Sequence, residues 1–285
     1  FTGQTLDSAT AGPFLLVGSG VSLGLGVILF ALVIGRALLR GTAPRGIAEP
    51  WLAMGLVWAV VAVGLHLDIV VQMGLDRSPV APLFLDGAFV HAAMLGFIGN
   101  FVFGVSLRAA PAFLGLSPAR AGRGWLAFGC INGGVGLTVG GWLAGLETWL
   151  LATGALLEFI GFASLVASLG LYGRRVQPRN YNLGTYARYE WFIWSAYGWL
   201  LAAGLLQVLQ AAGGIWETQI LPTDLAKPTV HVLALGFITM MIMGMGSRLL
   251  PLFEGAVLPA HRLMDLAFVC LNASVVLRLA FGVVP

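Results

Sequence analysis

Two histidines sit in apolar sequence, each at the head of a similar segment. One reads His91-Ala92-Ala93-Met94-Leu95-Gly96-Phe97-Ile98, the other His231-Val232-Leu233-Ala234-Leu235-Gly236-Phe237-Ile238. The spacing that separates them also carries Gly104, Arg108, Pro111, Phe113 and Gly115 onto Gly244, Arg248, Pro251, Phe253 and Gly255. Neutral imidazole ligates haem iron, so two histidines facing each other across a twofold axis could hold one b-type haem by both axial positions. Leu95 and Leu235 follow one helical turn later on the same face. Gly96 and Gly236 beside them predict a gap that a flat macrocycle could use. The bland alternative is a hydrogen bond from each histidine to a neighbouring helix. Recurrence at matched positions favours ligation, and makes His91 and His231 the candidate cofactor and metal ligands.

Other groups could do chemistry because charge and titratable side chains are costly in hydrocarbon and mark function there. His66 faces Leu206 at the offset of the histidines and so breaks the pattern. It is a candidate third ligand, propionate partner or proton-relay group, with a plain interhelical hydrogen bond as the competing account. Glu158 falls opposite Gly18 and should lie deep in its helix. A proton path and a structural carboxyl are both open for it. Asp68 and Arg278 fall near helix ends, where long or polar side chains can reach the interface. The run Met240-Met241-Ile242-Met243-Gly244-Met245 offers soft sulfur. Consecutive helical positions diverge, however, so core filling explains it better than a Cu(I) site. Arg108 and Arg248 come about 25 Å after the histidines along a helix, too far to touch a group held there. They are read as anchors of the helix ends. Cys130 and Cys270 also match at the offset; they form no CxxC or CxxCH, so zinc-ribbon and covalent c-type haem readings fail.

The elements that must position these residues follow from composition. Hydrophobic residues make up 59% of the 285 and charged residues 9%, with a mean hydropathy of +0.92. A water-facing domain carries about 25% charge, so this is an all-α polytopic membrane protein. Eight runs are long enough to span hydrocarbon: 13–39, 51–74, 88–113, 124–146, 149–172, 191–215, 228–250 and 263–284. The first is not read as a signal peptide, because it is too long and follows a polar, acidic segment. Four runs per half predict two parallel four-helix repeats, 1–140 and 141–285. Of the 15 basic residues, 12 fall in or beside alternate loops; Arg77, Lys227 and Arg278 are the others. That asymmetry predicts a bacterial inner-membrane protein with both termini outside. The pI of 9.2 then reflects topology and contact with anionic membrane lipid, not nucleic acid. The loop 173–190 is read as a headgroup-contacting segment, and the loops 79–86 and 217–227 as outer caps on the histidine helices.

The histidine segments, with Ala110-Pro111-Ala112-Phe113-Leu114-Gly115 in the first half and Thr239-Met240-Met241-Ile242 and Arg248 in the second, resemble the NnrS family. That family is itself loosely like the main subunit of haem–copper oxidases. The resemblance covers less than a fifth of the chain. It implies a haem- and copper-containing membrane protein associated with nitric oxide. Members for comparison are longer, with about twelve helices and a further histidine after the second-motif arginine. Phe253-Glu254-Gly255 stands in that region here, which puts copper in doubt. The four-plus-four layout is also similar to haem A synthase, whose Glu-x-x-His-Arg motifs this chain lacks.

The expectation is therefore a membrane protein holding haem b near the outer leaflet, between the two halves, through His91 and His231, with His66 close by. Two axial histidines suit electron transfer. One would leave iron open to nitric oxide or dioxygen. A small-solute or proton transporter, and a structural subunit of a larger membrane redox complex, are the competing classes.

Overall fold

Hydrocarbon offers no partner to a backbone amide or carbonyl, so long apolar runs must close their hydrogen bonds internally as helices. The computed structural model describes residues 11–42, 46–75, 80–174, 176, 186, 188–215, 226–255 and 260–283. Among these residues there is no strand. The helices are α1 (Ala11–Arg40), α2 (Ala48–Leu75), α3 (Leu83–His91), α4 (Asn100–Leu114), α5 (Ala121–Leu143), α6 (Thr148–Leu169), α7 (Tyr189–Ile215), α8 (Ala226–His231), α9 (Met240–Glu254) and α10 (His261–Val283). Two π-helical segments, π1 (Ala92–Gly99) and π2 (Val232–Thr239), join α3 to α4 and α8 to α9 without a break. Eight of the resulting rods are long and apolar enough to cross a membrane. The chain is an integral membrane protein. The loops 173–190 and 217–227 lie largely outside the described residues, as do Arg45, Arg77, Arg175 and Arg179.

The chain divides into two compact units, 1–104 with 135–154, and 105–134 with 155–285. In the first, Trp51 and Phe103 bury their rings edge-on at 5.5 Å. In the second, Phe162, Phe192, Tyr197 and Phe237 are fully enclosed. Buried aromatics of this size supply much of the packing that helix association in lipid depends on. α1 and α10 bury the smallest share of their surface, and residues such as Val33, Leu39, Leu263 and Phe281 stand exposed on them. Such faces suit lipid, which is as apolar as leucine.

One local device recurs at the offset of the histidines, and a second is only similar in the two places. α4 and α9 both carry an internal proline, Pro111 and Pro251. Each is followed by a glycine in the left-handed region, Gly115 at φ 65° and Gly255 at φ 60°. A left-handed glycine lets the last turn close on its own carbonyls; Leu116 N–H, for one, donates to Pro111 O at 2.8 Å. The return from π to α geometry is also served by a side chain in both places. Asn100 Nδ2 donates to Gly96 O at 2.6 Å, and Thr239 Oγ1 donates to Ala234 O at 2.8 Å. Changing the ladder from i+5 to i+4 leaves a carbonyl short of an amide, and each of these side chains supplies a donor within its π segment.

Candidate functional site

Each candidate ligand occupies the same kind of position. His91 is the last residue of α3, directly before π1, and His231 the last of α8, directly before π2. Both side chains are half-buried. π-helical turns are rare and cluster at functional sites, because the wider turn displaces side chains from their usual spacing. Here each wide turn begins at the imidazole. His91 belongs to the first unit and His231 to the second.

The glycines after the histidines do not leave the gap expected from their size. A Cβ on Gly96 would stand 2.7 Å from Trp58 Cγ, and one on Gly236 would stand 2.7 Å from Trp199 Cγ. An indole fills each place, so these glycines admit a tryptophan and not a macrocycle. The same contacts correct the register of the second helix of each half. Trp58 stands one position further from Gly96 than Trp199 does from Gly236, so the offset in that helix is longer by one. Gly104 and Gly244 agree, meeting Trp51 and Leu52 in one case and Phe192 and Ile193 in the other. In that register His66 corresponds to Gln207, not Leu206, so the position is polar in both halves. Gln207 Oε1 is buried without a hydrogen-bond donor among the described residues.

Trp199 is further held from α10. Its Nε1–H donates to Asn272 Oδ1 at 2.9 Å, and Ser195 Oγ donates to the same oxygen at 2.7 Å. Asn272 Nδ2 is tied to Phe268 O at 2.9 Å. Asn132, its match in the first half of the sequence, is tied alike to Phe128 O at 3.0 Å. Tyr197 and Phe237 pack edge-on at 5.6 Å, joining α7 to π2. The indole, the amide and the phenyl ring thus brace the turn that starts at His231. None of the three stood out in the sequence as a site residue. The matched asparagines were the one available signal.

His66 shares the first unit with His91, and its ring lies 5.3 Å from that of Phe89, on the same helix as His91. Glu158 is fully buried. Met240 and Met241 are buried in the core while Ile242 faces outward, which matches core filling by a diverging run. Arg108 is exposed, whereas the Arg248 guanidinium lies over the Tyr189 ring at 5.6 Å. Asp68 accepts from Gln72 Nε2 at 3.1 Å. Arg278 is exposed. Cys130 and Cys270 are free thiols.

Among the described residues, no three His, Cys, Asp or Glu side chains gather as a set that could hold a metal ion. A protein-caged ion needs three or four protein donors, but haem iron takes its equatorial ligands from the porphyrin and needs only one or two. His91 and His231 each offer an imidazole, the kind of donor such an iron takes. Beyond this chain's own geometry, no curated protein and no solved structure matches it. A family model does match, over residues 173–285, and it covers α7 to α10 with His231, π2, Trp199 and Asn272. Over that stretch the chain is similar to the family described as NnrS protein.

Proposed function

We propose that the protein binds a b-type haem that His91 and His231 would hold, for electron transfer where both ligate, or for the handling of a diatomic gas where one alone does. The observation that carries this reading is the shared placement of the two imidazoles, each at an α-to-π junction braced by a glycine–tryptophan contact. The NnrS match, which includes His231, supports it. When bound, such a group would supply one-electron redox chemistry and, with an open axial position, a site for nitric oxide or dioxygen.

The chain's own residues would act in three ways. His91 and His231 donate a nitrogen lone pair. The braced turns hold each ring in one orientation. The apolar residues around each imidazole would tune the potential through burial and dielectric. His66, packed against Phe89, adds a second imidazole to the unit that holds His91. Purification from a haem-replete host, followed by oxidised and reduced visible spectra, tests the proposal. A Soret band that is lost in His91→Ala and in His231→Ala is expected. If one variant keeps the band and gains affinity for nitric oxide or carbon monoxide, a single axial histidine and gas handling are supported. A folded, colourless wild-type protein that takes up no added haem would refute haem binding.

A further inference from the structure

The second unit carries a groove of about 300 Å³ on its surface, lined by Ala163, Ala167, Gly170, Gly173, Tyr172 and Leu201 among others. Ala163 and Ala167 stand one turn apart on α6 and are exposed. From Ala163 to Gly170 the groove follows the helix for about 10 Å, a good part of one leaflet's hydrocarbon depth. The lining is apolar except at Tyr172, whose hydroxyl donates to Trp194 O at 2.9 Å.

Three arginines come from segments that meet the end of α6, where the groove ends. Arg123 Nη1 reaches Ala167 O at 3.5 Å. Arg120 is fixed beside Ser168, its N–H donating to Ser168 O at 3.0 Å while Ser168 Oγ donates to Arg120 O at 2.9 Å. Arg174 directly follows Gly173 in the lining. All three are exposed. None of the three is ion-paired with a carboxylate among the described residues, where Arg188 with Asp265 is one such pair. Unpaired guanidinium groups at the edge of a membrane span attract anionic headgroups, and arginine matches phosphate oxygens with a fork of donors.

We infer that this groove is a binding site for an anionic phospholipid, with an acyl chain along Ala163, Ala167 and Gly170 and the phosphate on Arg120, Arg123 and Arg174. Neither observation alone selects a lipid. Apolar shape admits any acyl chain, and surface arginines attract any anion. Their continuity in one groove is what specifies a charged amphiphile.

Native mass spectrometry of the full chain, titrated with equal amounts of phosphatidylglycerol and phosphatidylcholine, tests the site. Phosphatidylglycerol is expected as the first bound lipid, with several-fold preference. That preference should fall towards unity in R120Q/R123Q/R174Q. It should also fall in Ala163→Leu/Ala167→Leu, which fills the groove and leaves every arginine in place. If the triple variant misfolds, R174Q alone should still reduce the preference by a measurable fraction. Equal binding of the two lipids by the wild-type chain overturns the proposal. So does a preference unchanged in the filled-groove variant, which would mean diffuse surface charge. Loss of a dimer in that variant, with lipid preference intact, would assign the groove to a second copy of the chain and equally overturn it.

Discussion

At the scale of single residues, two side chains of α7 converge on one acceptor in α10. Asn272 Oδ1 receives both Ser195 and Trp199, so Asn272→Ala strands two donors in an apolar setting. Leaving a buried donor unsatisfied costs about 1–3 kcal/mol. The variant should unfold earlier in detergent by a corresponding amount, and an unchanged midpoint would remove Asn272 from the bracing role. A second residue-scale effect lies beyond the membrane spans. Tyr186 donates to Asp265 Oδ1 at 2.7 Å, and Arg188 holds the other carboxylate oxygen at 2.7 Å. Burial raises the Tyr186 phenol above its ordinary value of 10.0; the hydrogen bond and charge of Asp265 add to the rise, and Arg188 opposes it. The folded chain therefore keeps this proton more tightly than the unfolded chain. The stability so gained is complete below the ordinary phenol value and drains away as pH rises through the folded one. Above pH 10 the wild type should lose stability more steeply than Tyr186→Phe, as followed by unfolding at stepped alkaline pH. Parallel slopes would show that this proton is not linked to folding. Histidine, alone among these residues, was legible from type and spacing. The partners of Asn272 were not, since a hydrogen bond between residues so far apart in the chain leaves no periodic trace.

At the scale of elements, the two π segments explain why a glycine follows each histidine. The wide turn has to lie against an indole, and only a residue without Cβ lets Trp58 or Trp199 approach that closely. Gly96→Ala and Gly236→Ala should each cost about 1–3 kcal/mol, the usual range for overpacking. Gly18→Ala is the control, because nothing lies within 4 Å of its added Cβ. Trp58→Leu in the Gly96→Ala background should recover part of the loss, a coupling that a double-mutant cycle would measure. Should Gly96→Ala melt no earlier than Gly18→Ala, the indole contact is not what constrains the turn. The helices themselves were legible as apolar runs. The π geometry was not, because it depends on which carbonyl each amide selects, and apolar residues of similar size permit either ladder. The second-helix register also escaped notice. The stretches between the second and third spans differ in length by a single position, and a fixed offset cannot follow that change, which hid the equivalence of His66 and Gln207.

For the whole molecule, membrane insertion was the most legible property. Spanning requires only length and apolar composition, and α1 to α10 supply eight such rods. How the halves are disposed was not legible from matching residues, since repetition along the chain records a duplicated sequence and not an arrangement in space. Sidedness is an expectation on a separate ground: the excess of arginine in alternate loops would put those loops on the inner face. Two exposed loop residues make that assignment testable. Ser117 follows α4 on an arginine-rich side, and Glu147 lies between α5 and α6 on the opposite side. With Cys130→Ser and Cys270→Ser removing the native thiols, Ser117→Cys and Glu147→Cys each provide a single reporter. In intact spheroplasts an impermeant maleimide should label Glu147→Cys and spare Ser117→Cys, which should react only after the membrane is opened. The reversed pattern would invert the topology. His91 and His231 each lie towards the side of their span that Glu147 marks, so inversion would also move the proposed haem ligands to the cytoplasmic leaflet and change which electron donors could reach them.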